Sequence, residues 1–534
     1  MNVLSHPNPD YLSVLGVNRI RNGKKRRLLK FCVEYDSELG KAIYNPMTRS
    51  LVLMSEEEYK SLFTDAITDY ISFLIKSYTL VGDDFDDVGA MQRLRANYAI
   101  PLDDKYLQKG NIHEYTILTT THCNANCFYC YEKGRSKVHM TEETAEKIGE
   151  FIIEHTPMNR EIELRWFGGE PLFNMKVMDI IVNKIRETGL DYKSSLISNG
   201  SLFNDAVVKK AVDLWHLKHV QITLDGTEKI YNEAKNYTKK NFNPYKKVKE
   251  NIQKLLDANI SVSIRMNLEL YNAEDLKNLI RECHRDFGNN LPFGMYAYPI
   301  FEEGTPRTEE HKKELYNKLL EIEQVLAECN YLHGKELYGG IRATHCMVDN
   351  GKAVLFAPTG DIGLCEHYSE TEFFSHIDNY SEKDWDVIKE WKRVEEPLDI
   401  CSDCSYFPDC LRCSKCVELH ECDPYIKEWR QREVVLGVKQ EVERWWKQVC
   451  KEEKERNNHQ NCSCGNNNGQ PQYLYQDPQQ LQLQLQIQQM QLQQLQQLQQ
   501  LQQIQQQAPQ QPQVREKSKW EAFKDNWKII FNTK

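Results

Sequence analysis

Between residues 112 and 330 the chain alternates short strand-like runs with amphipathic helical stretches, and this alternation limits its fold more than any other feature. The strand candidates are Tyr115–Thr120, Ile162–Phe167, Ser195–Ser198, Val220–Leu224, Val262–Asn267 and Phe293–Pro299. Between them lie segments such as TEETAEKIGEFIIEHT and NDAVVKKAVDLWHL, whose apolar residues recur at helical spacing. Six β/α units in succession imply a parallel sheet, either open and doubly wound or a partial barrel. Chemistry in such folds gathers at the C-terminal ends of the strands.

The chain is 534 residues long, enough for two or three domains with their own cores. A net charge of -10 argues against a nucleic-acid binder, and the short basic run Arg19–Arg27 reads as a solvated surface. No segment has the ~18–20 uninterrupted apolar residues of a membrane span. The first residues, MNVLSHPNPDYLSVLGV, lack a secretory apolar core. The expected location is therefore the cytoplasm, with no membrane partner. In a reducing compartment the 17 cysteines point to metal binding or catalysis rather than disulfides. Three fall within Cys123–Cys130 and six within Cys401–Cys422, with Cys346 and Cys365 upstream. Cys32, Cys283, Cys329 and Cys450 are scattered and read as packed thiols.

The remaining regions differ in texture. Residues 1–110 contain strand, turn, strand and a helix capped near Ser55, as expected of a small winged-helix-like domain. Residues 111–335 hold the β/α units, and 340–425 read as a small domain held by metal. A helical segment at 426–456 places Trp429, Val438, Val442, Trp445 and Val449 on one apolar face. An Asn/Gln-rich tail follows at 457–515. Its Leu492, Leu495, Leu498, Leu501 and Ile504 recur every three residues, a stripe that rotates around a helix and builds no coiled-coil seam, so the tail reads as low complexity. Residues 516–534 regain a helical stripe through Trp520, Phe523, Trp527 and Ile530, suited to docking elsewhere or packing on the same chain.

The segment THCNANCFYC directly follows the first strand, with the spacing Cys123-x3-Cys127-x2-Cys130. Thiolates so spaced suit three corners of a [4Fe–4S] cluster and leave one iron open to a small molecule. A zinc site completed by His122 or His139, or three packed thiols, fits the same spacing.

The residues downstream separate these readings. CxxxCxYC after the first strand of a parallel β/α domain resembles the radical S-adenosylmethionine (SAM) superfamily. The resemblance implies that the open iron chelates SAM. Its cleavage then yields a 5′-deoxyadenosyl radical that abstracts hydrogen from a substrate. It implies a SAM contact for Tyr129 within the motif. The second strand ends in Gly168-Gly169-Glu170, similar to the family's motif for the SAM amino group. Glycines permit close backbone approach, and a carboxylate accepts a charged hydrogen bond. Ser198-Asn199-Gly200 and Leu224-Asp225-Gly226 resemble the next strand ends, the first near the SAM ribose, and Arg265 is a candidate for the SAM carboxylate. Read alone, each is also ordinary turn chemistry. The expected fold is α/β: a partial (β/α)6 radical SAM barrel between an N-terminal α+β domain and a cysteine-rich iron–sulfur domain.

Cys346-x13-Gly360-x4-Cys365 and Cys401-x2-Cys404-x5-Cys410 are similar to the SPASM extension of that superfamily, which carries two auxiliary [4Fe–4S] clusters. After Cys410 the chain departs from the family pattern, with Ser414 where a cysteine is expected and Cys413, Cys416 and Cys422 nearby. The resemblance gives one cluster Cys401, Cys404, Cys410 and either Cys416 or Cys422. The other takes Cys346 and Cys365 with Cys413 or Cys416. A zinc-ribbon reading of the CxxC pairs also stands.

Radical SAM enzymes with SPASM domains chiefly modify peptides, and an N-terminal winged-helix-like domain resembles the leader-recognition element of ribosomal-peptide maturases. Such elements add a peptide strand to a sheet edge. The resemblance therefore implies a precursor peptide as partner and a flavodoxin or ferredoxin as electron donor. The implied product is a crosslink, first of all a Cys thioether. A formylglycine-generating sulfatase-maturing enzyme and a non-catalytic metal-binding scaffold are the alternatives.

Overall fold

The computed structural model describes residues 1–460 apart from 21–24, 65–66, 99–106, 109, 131, 133–135, 240–241, 289–291, 301–306, 339–346, 367–371, 393–396 and 411–421. The chain divides into two compact units, Met1–Lys447 and Gln448–Lys534. Of the second, only the end of one helix is described, so the Gln-rich tail and the stripe from Trp520 to Ile530 lie outside the described residues.

The first unit opens with short strands β1 (Asn2–Ser5), β2 (Arg26–Leu28), β3 (Val33–Ser37), β4 (Gly40–Asn45), β5 (Ser50–Met54) and β6 (Leu80–Gly82). Four of them form an antiparallel sheet in the order β1-β5-β4-β3, and β2 pairs with β6. After β5 the helix Glu56–Ser61 starts at Ser55, whose hydroxyl accepts the Glu58 N–H while Glu58 returns a bond to the Ser55 N–H. This reciprocal cap satisfies two helix-end donors.

The main sheet is parallel over β7 (Glu114–Thr120), β8 (Ile162–Gly168), β9 (Tyr192–Ser198), β10 (Leu217–Thr223), β11 (Ser261–Leu268) and β12 (Phe293–Pro299), which lie side by side in chain order. Each expected strand overlaps one of these, and the last coincides with it. Sequential parallel neighbours linked by helices are the architecture of a partial (β/α)6 barrel. Side chains alternate across the strands: Val262, Ile264 and Met266 are buried, while Ser263 and Arg265 turn to the opposite face.

The cysteine-rich region contributes to this sheet. β13 (Ala353–Phe356) pairs in parallel with β7, and β14 (Asp361–Gly363) and β15 (Ser375–His376) follow antiparallel. The run Ala353-Val354-Leu355-Phe356 is buried throughout, as a strand covered on both faces requires.

A second core joins distant parts of the first unit. Phe31, Tyr44 and Leu53 of the N-terminal segment pack with Cys401, Cys404 and Phe407, and with Val434, Val438 and Val442 of the helix Pro424–Gln460. The Phe31 and Phe407 rings lie 5.5 Å apart. The N-terminal segment and the cysteine loop therefore share one hydrophobic interior.

Candidate functional site

The C-terminal ends of β7, β8, β9 and β10 converge on the loop bearing Cys123, Cys127 and Cys130. Asn126 N donates to the Lys235 carbonyl at 2.9 Å and Thr238 N to the Asn124 carbonyl at 2.9 Å, so the loop is tied to the segment after β10. The Asn199 amide donates to Asn124 Oδ1 at 2.7 Å and approaches Cys123 Sγ at 3.8 Å. Ala125 N also donates to Cys123 Sγ, at 3.4 Å.

All three thiols are half-buried. Burial pushes the Cys123 thiol up to about 12, and the charges of Glu170, Cys127 and Cys130 act in the same direction. Burial also raises Cys127 and Cys130, with Cys127 charge adding to the rise at Cys130. Three clustered thiols with mutually unfavourable ionisation suit a cationic centre, because metal ligands must be deprotonated. Among the described residues, no three His, Cys, Asp or Glu side chains gather closely enough to hold a single ion. His122 and His139 stack face to face with centroids 4.1 Å apart.

The Gly168-Gly169-Glu170 turn is locked to the same loop. Gly169 N donates to the Thr120 carbonyl at 3.0 Å and Glu170 N to the His122 carbonyl at 2.9 Å. Gly168 has φ +118°, in the region that favours glycine. A Cβ at Gly168 would lie 2.2 Å from Thr120 O, and one at Gly169 would lie 2.5 Å from His122 O. Both glycines are therefore demanded by close backbone approach.

Glu170 is fully buried. Its carboxylate accepts from Asn199 N (2.9 Å), Ser198 Oγ (2.9 and 3.1 Å) and Leu172 N (3.2 Å). Burial raises its pKa to about 7 despite these donors. A carboxyl so poised welcomes an additional cationic donor.

A second buried group lies beside Cys127. The Tyr129 hydroxyl donates to Asp225 Oδ2, and Lys235 Nζ lies 2.8 Å from the Tyr129 oxygen and 3.2 Å from Asp225 Oδ2. Asp225 and Lys235 are both buried. The sequence resemblance placed Asp225 at a strand end, with an ordinary turn as the other reading, and did not single out Lys235. The available signal was a lysine four residues after Tyr231 on the buried face of the helix Glu228–Lys235. Arg265 lies farther along, its Nε donating to Asn267 Oδ1 at 3.0 Å and its guanidinium 5.2 Å from the Tyr298 ring.

This strand-end arrangement coincides with a family match. Residues 117–283 fit the model of the radical SAM superfamily. The chain carries a radical SAM domain over those residues. Radical SAM proteins are enzymes that use SAM and a [4Fe–4S] cluster. The residues around Cys123 suit both groups in kind, with three half-buried thiols on one loop and a buried carboxyl in the turn bonded to it.

Relatives of the chain include an uncharacterised protein of Methanocaldococcus jannaschii, 23% identical over 260 residues, 47% of this chain and 83% of the relative. A probable GTP 3',8-cyclase of Methanococcus maripaludis is 31% identical over 125 residues, 23% of this chain and 39% of the relative. The sporulation killing factor maturation protein SkfB of Bacillus subtilis is 22% identical over 192 residues, 34% of this chain and 43% of the relative. The chain thus spans less than half of the latter two.

The later cysteines form a separate grouping. Cys401, Cys404, Cys410 and Cys422 line one small cavity with Phe407, Lys427 and Arg430. Burial pushes the Cys422 thiol up to about 12, and the charges of Cys410, Cys404 and Cys401 add to the rise. Cys365 lies two residues after β14, its sulfur 3.9 Å from Glu366 Oε2. Cys346, Cys413 and Cys416 lie outside the described residues.

Proposed function

We propose that the chain is a peptide maturase. It cleaves SAM reductively and installs a crosslink, first of all a Cys thioether, in a ribosomally made precursor peptide. The observation that carries this reading is the shared interior between the N-terminal antiparallel sheet and the four-cysteine cavity. A radical enzyme acting on a free small molecule has no need to join a strand-presenting domain to a second thiol cluster. The similarity to SkfB, a maturation protein, supports the same class.

In this reading Cys123, Cys127 and Cys130 hold the [4Fe–4S] cluster that cleaves SAM. Bound there, cluster and SAM supply an electron and a 5′-deoxyadenosyl radical. Glu170 accepts the SAM ammonium, with Ser198 and Asn199 holding the carboxyl in place. Gly168 and Gly169 let SAM lie against the backbone, and Tyr129 orders the turn through Asp225. Arg265 is assigned to the SAM carboxylate, and Lys235, paired with Asp225, sets a positive charge beside the triad. Burial of Glu170, Asp225 and Lys235 keeps water from the reacting atoms.

Cys401, Cys404, Cys410 and Cys422 are proposed to hold one auxiliary [4Fe–4S] cluster. Cys346 and Cys365, with Cys413 or Cys416, are assigned to the other. An auxiliary cluster would hold the substrate thiol or take up the surplus electron. The N-terminal domain would grip the leader by strand addition, and a flavodoxin or ferredoxin would deliver the electron.

Anaerobic reconstitution followed by chromatography for 5′-deoxyadenosine tests the first half, and Cys127→Ala should abolish that product. Co-expression with a short Cys-containing peptide encoded beside the gene tests the second half, read as a two-hydrogen mass loss. A loaded protein that never cleaves SAM under strong reductant would sink the proposal.

A further inference from the structure

The last strand of the barrel ends the sheet on an open edge. β12 pairs with β11 alone among the described residues. Two backbone bonds bracket that pairing, Val262 N to the Pro292 carbonyl (2.8 Å) and Ile300 N to the Leu268 carbonyl (3.0 Å), and they set its phase. In a parallel pair, alternate residues turn both backbone groups to the same neighbour, so Gly294, Tyr296 and Tyr298 face β11. Met295 and Ala297 turn their N–H and C=O groups outward. Pro299 falls in the same outward phase, where its missing N–H costs the sheet nothing.

That edge borders a cavity of about 730 Å³, within the size range of ligand sites. Five consecutive residues, Gly294–Tyr298, line it. Side chains alone would contribute every second residue, and those of Met295 and Ala297 are buried on the outer face. The backbone edge itself therefore forms the wall. The opposite wall is the helix Pro424–Gln460, through Trp429 and its neighbours. Trp429 Nε1 donates to Glu323 Oε1 at 2.8 Å, tying two lining residues together.

The charge of the lining is uneven. Arg265, Arg430, Arg432 and Lys439 stand against Glu323 and Glu433. Arg430 pairs with Glu433 at 3.1 Å and Arg432 approaches Glu323 at 3.7 Å. Four basic side chains against two acidic ones make the lining cationic, in a chain whose net charge is -10. Hydrogen bonds link the cavity lining to the buried Tyr129–Asp225 group: Arg265 bonds Asn267, whose N–H donates to Asp225 Oδ1 at 3.3 Å.

We propose that the free edge of β12 seats the segment of the peptide that is modified. It binds as an added extended strand on Met295 and Ala297, with acidic side chains met by the cationic lining. The proposal rests on the peptide reading above and specifies how that site takes its substrate. Main-chain bonds supply affinity in this mode and the flanking pockets supply selectivity.

The test uses the full chain and a fluorescent seven-residue peptide of alternating Val and Thr with Glu at each end. Anisotropy should report binding, weakened about tenfold or more when alternate peptide nitrogens are methylated. Ala297→Pro should weaken it similarly, and replacing the terminal Glu residues by Lys should weaken it several-fold. Hydrogen exchange on the unchanged chain avoids any folding defect of the variant: the peptide should slow exchange across 293–299 and leave β4 unaffected. No binding up to about 1 mM, equal binding of the methylated peptide, or an edge already protected in the free chain by one of its own segments would each overturn the proposal. The peptide is unreactive by design, so the outcomes separate. Binding of this peptide with no mass loss in the co-expressed precursor removes the maturase reading, whereas mass loss in the precursor without peptide binding to β12 removes only the edge site.

Discussion

Arg49 and Asp409, 360 positions apart in the chain, form a buried ion pair with Arg49 Nη1 3.0 Å from Asp409 Oδ2. Arg49 sits in the turn between β4 and β5 with φ +68°, and Asp409 immediately precedes Cys410. Lys335 Nζ reaches the same carboxylate at 3.0 Å. Arg95 donates to the carbonyls of Phe407 and Cys410 from the helix Asp87–Tyr98. The N-terminal segment thus fixes the loop that carries three of the four cavity cysteines.

Asp409→Ala should unfold more readily than the parent, because it leaves Arg49 and Lys335 facing an uncharged side chain. Removing one partner of a buried pair typically costs about 3–5 kcal/mol. Burial opposes ionisation of Asp409, but Arg49 and Lys335 more than offset it and hold the carboxyl below its usual range. Its stabilisation is therefore present above the unfolded carboxylate value of about 3.9 and is lost as pH falls through the depressed folded value. Thermal melts of parent and variant should differ by a constant amount from about pH 5 to 8 and converge in stronger acid. A gap that persists at about pH 2 would refute the assignment.

Glu170 has the opposite linkage. Burial raises its folded value to about 7, so the ligand-free chain holds the proton more tightly than the unfolded chain. The resulting stabilisation is complete below about 4.3 and is lost as pH rises through 7. Acceptance of an ammonium requires the carboxylate, so SAM affinity should rise with pH up to about 7, by as much as tenfold per unit. Equilibrium dialysis between about pH 5.5 and 7.5 reads this slope. Glu170→Gln should bind SAM weakly with a flat profile, and a variant that retained the slope would place the titrating group elsewhere.

How much of this was legible depended on whether a contact was local. The strands β7–β12 were readable because each carries its own period and is bounded by turn residues; Phe293–Pro299 was located to the residue. The Glu170 turn was readable because its glycines are consecutive. Lys235 was hidden because its partners, Tyr129 and Asp225, lie on two other segments. The addition of β13 to β7 and the Arg49–Asp409 pair were hidden for the same reason, since pairing over hundreds of residues leaves no periodic trace. The open edge of β12 had one trace, Pro299 at a strand end, but its phase required the backbone bonds.

Cys422→Ser should remove one auxiliary cluster. Cys422 shares a cavity with Cys401, Cys404 and Cys410, whereas Cys450 lies on the helix beyond it. Iron and acid-labile sulfide counts on anaerobically reconstituted protein should fall by about four each for Cys422→Ser. They should stay unchanged for Cys450→Ser. Equal counts in the two variants would return the fourth position to Cys416.

Gly169→Ala tests whether the glycine turn is a close-approach cradle. The added methyl would lie 2.5 Å from His122 O and 2.8 Å from Thr121 O, both backbone atoms, so the strand end or the cysteine loop must move. A misplacement near 1 Å at a reacting site is worth about 10²-fold in rate, and SAM cleavage should fall by at least that. Gly189→Ala is the matched control. Gly189 has φ +73° and open space around it, so alanine there brings local backbone strain of about 1 kcal/mol and no clash. It should lower the melting temperature slightly and leave 5′-deoxyadenosine production intact. If both variants cleave SAM at the parent rate, the contact between Gly169 and the cysteine loop has no part in placing the ligand.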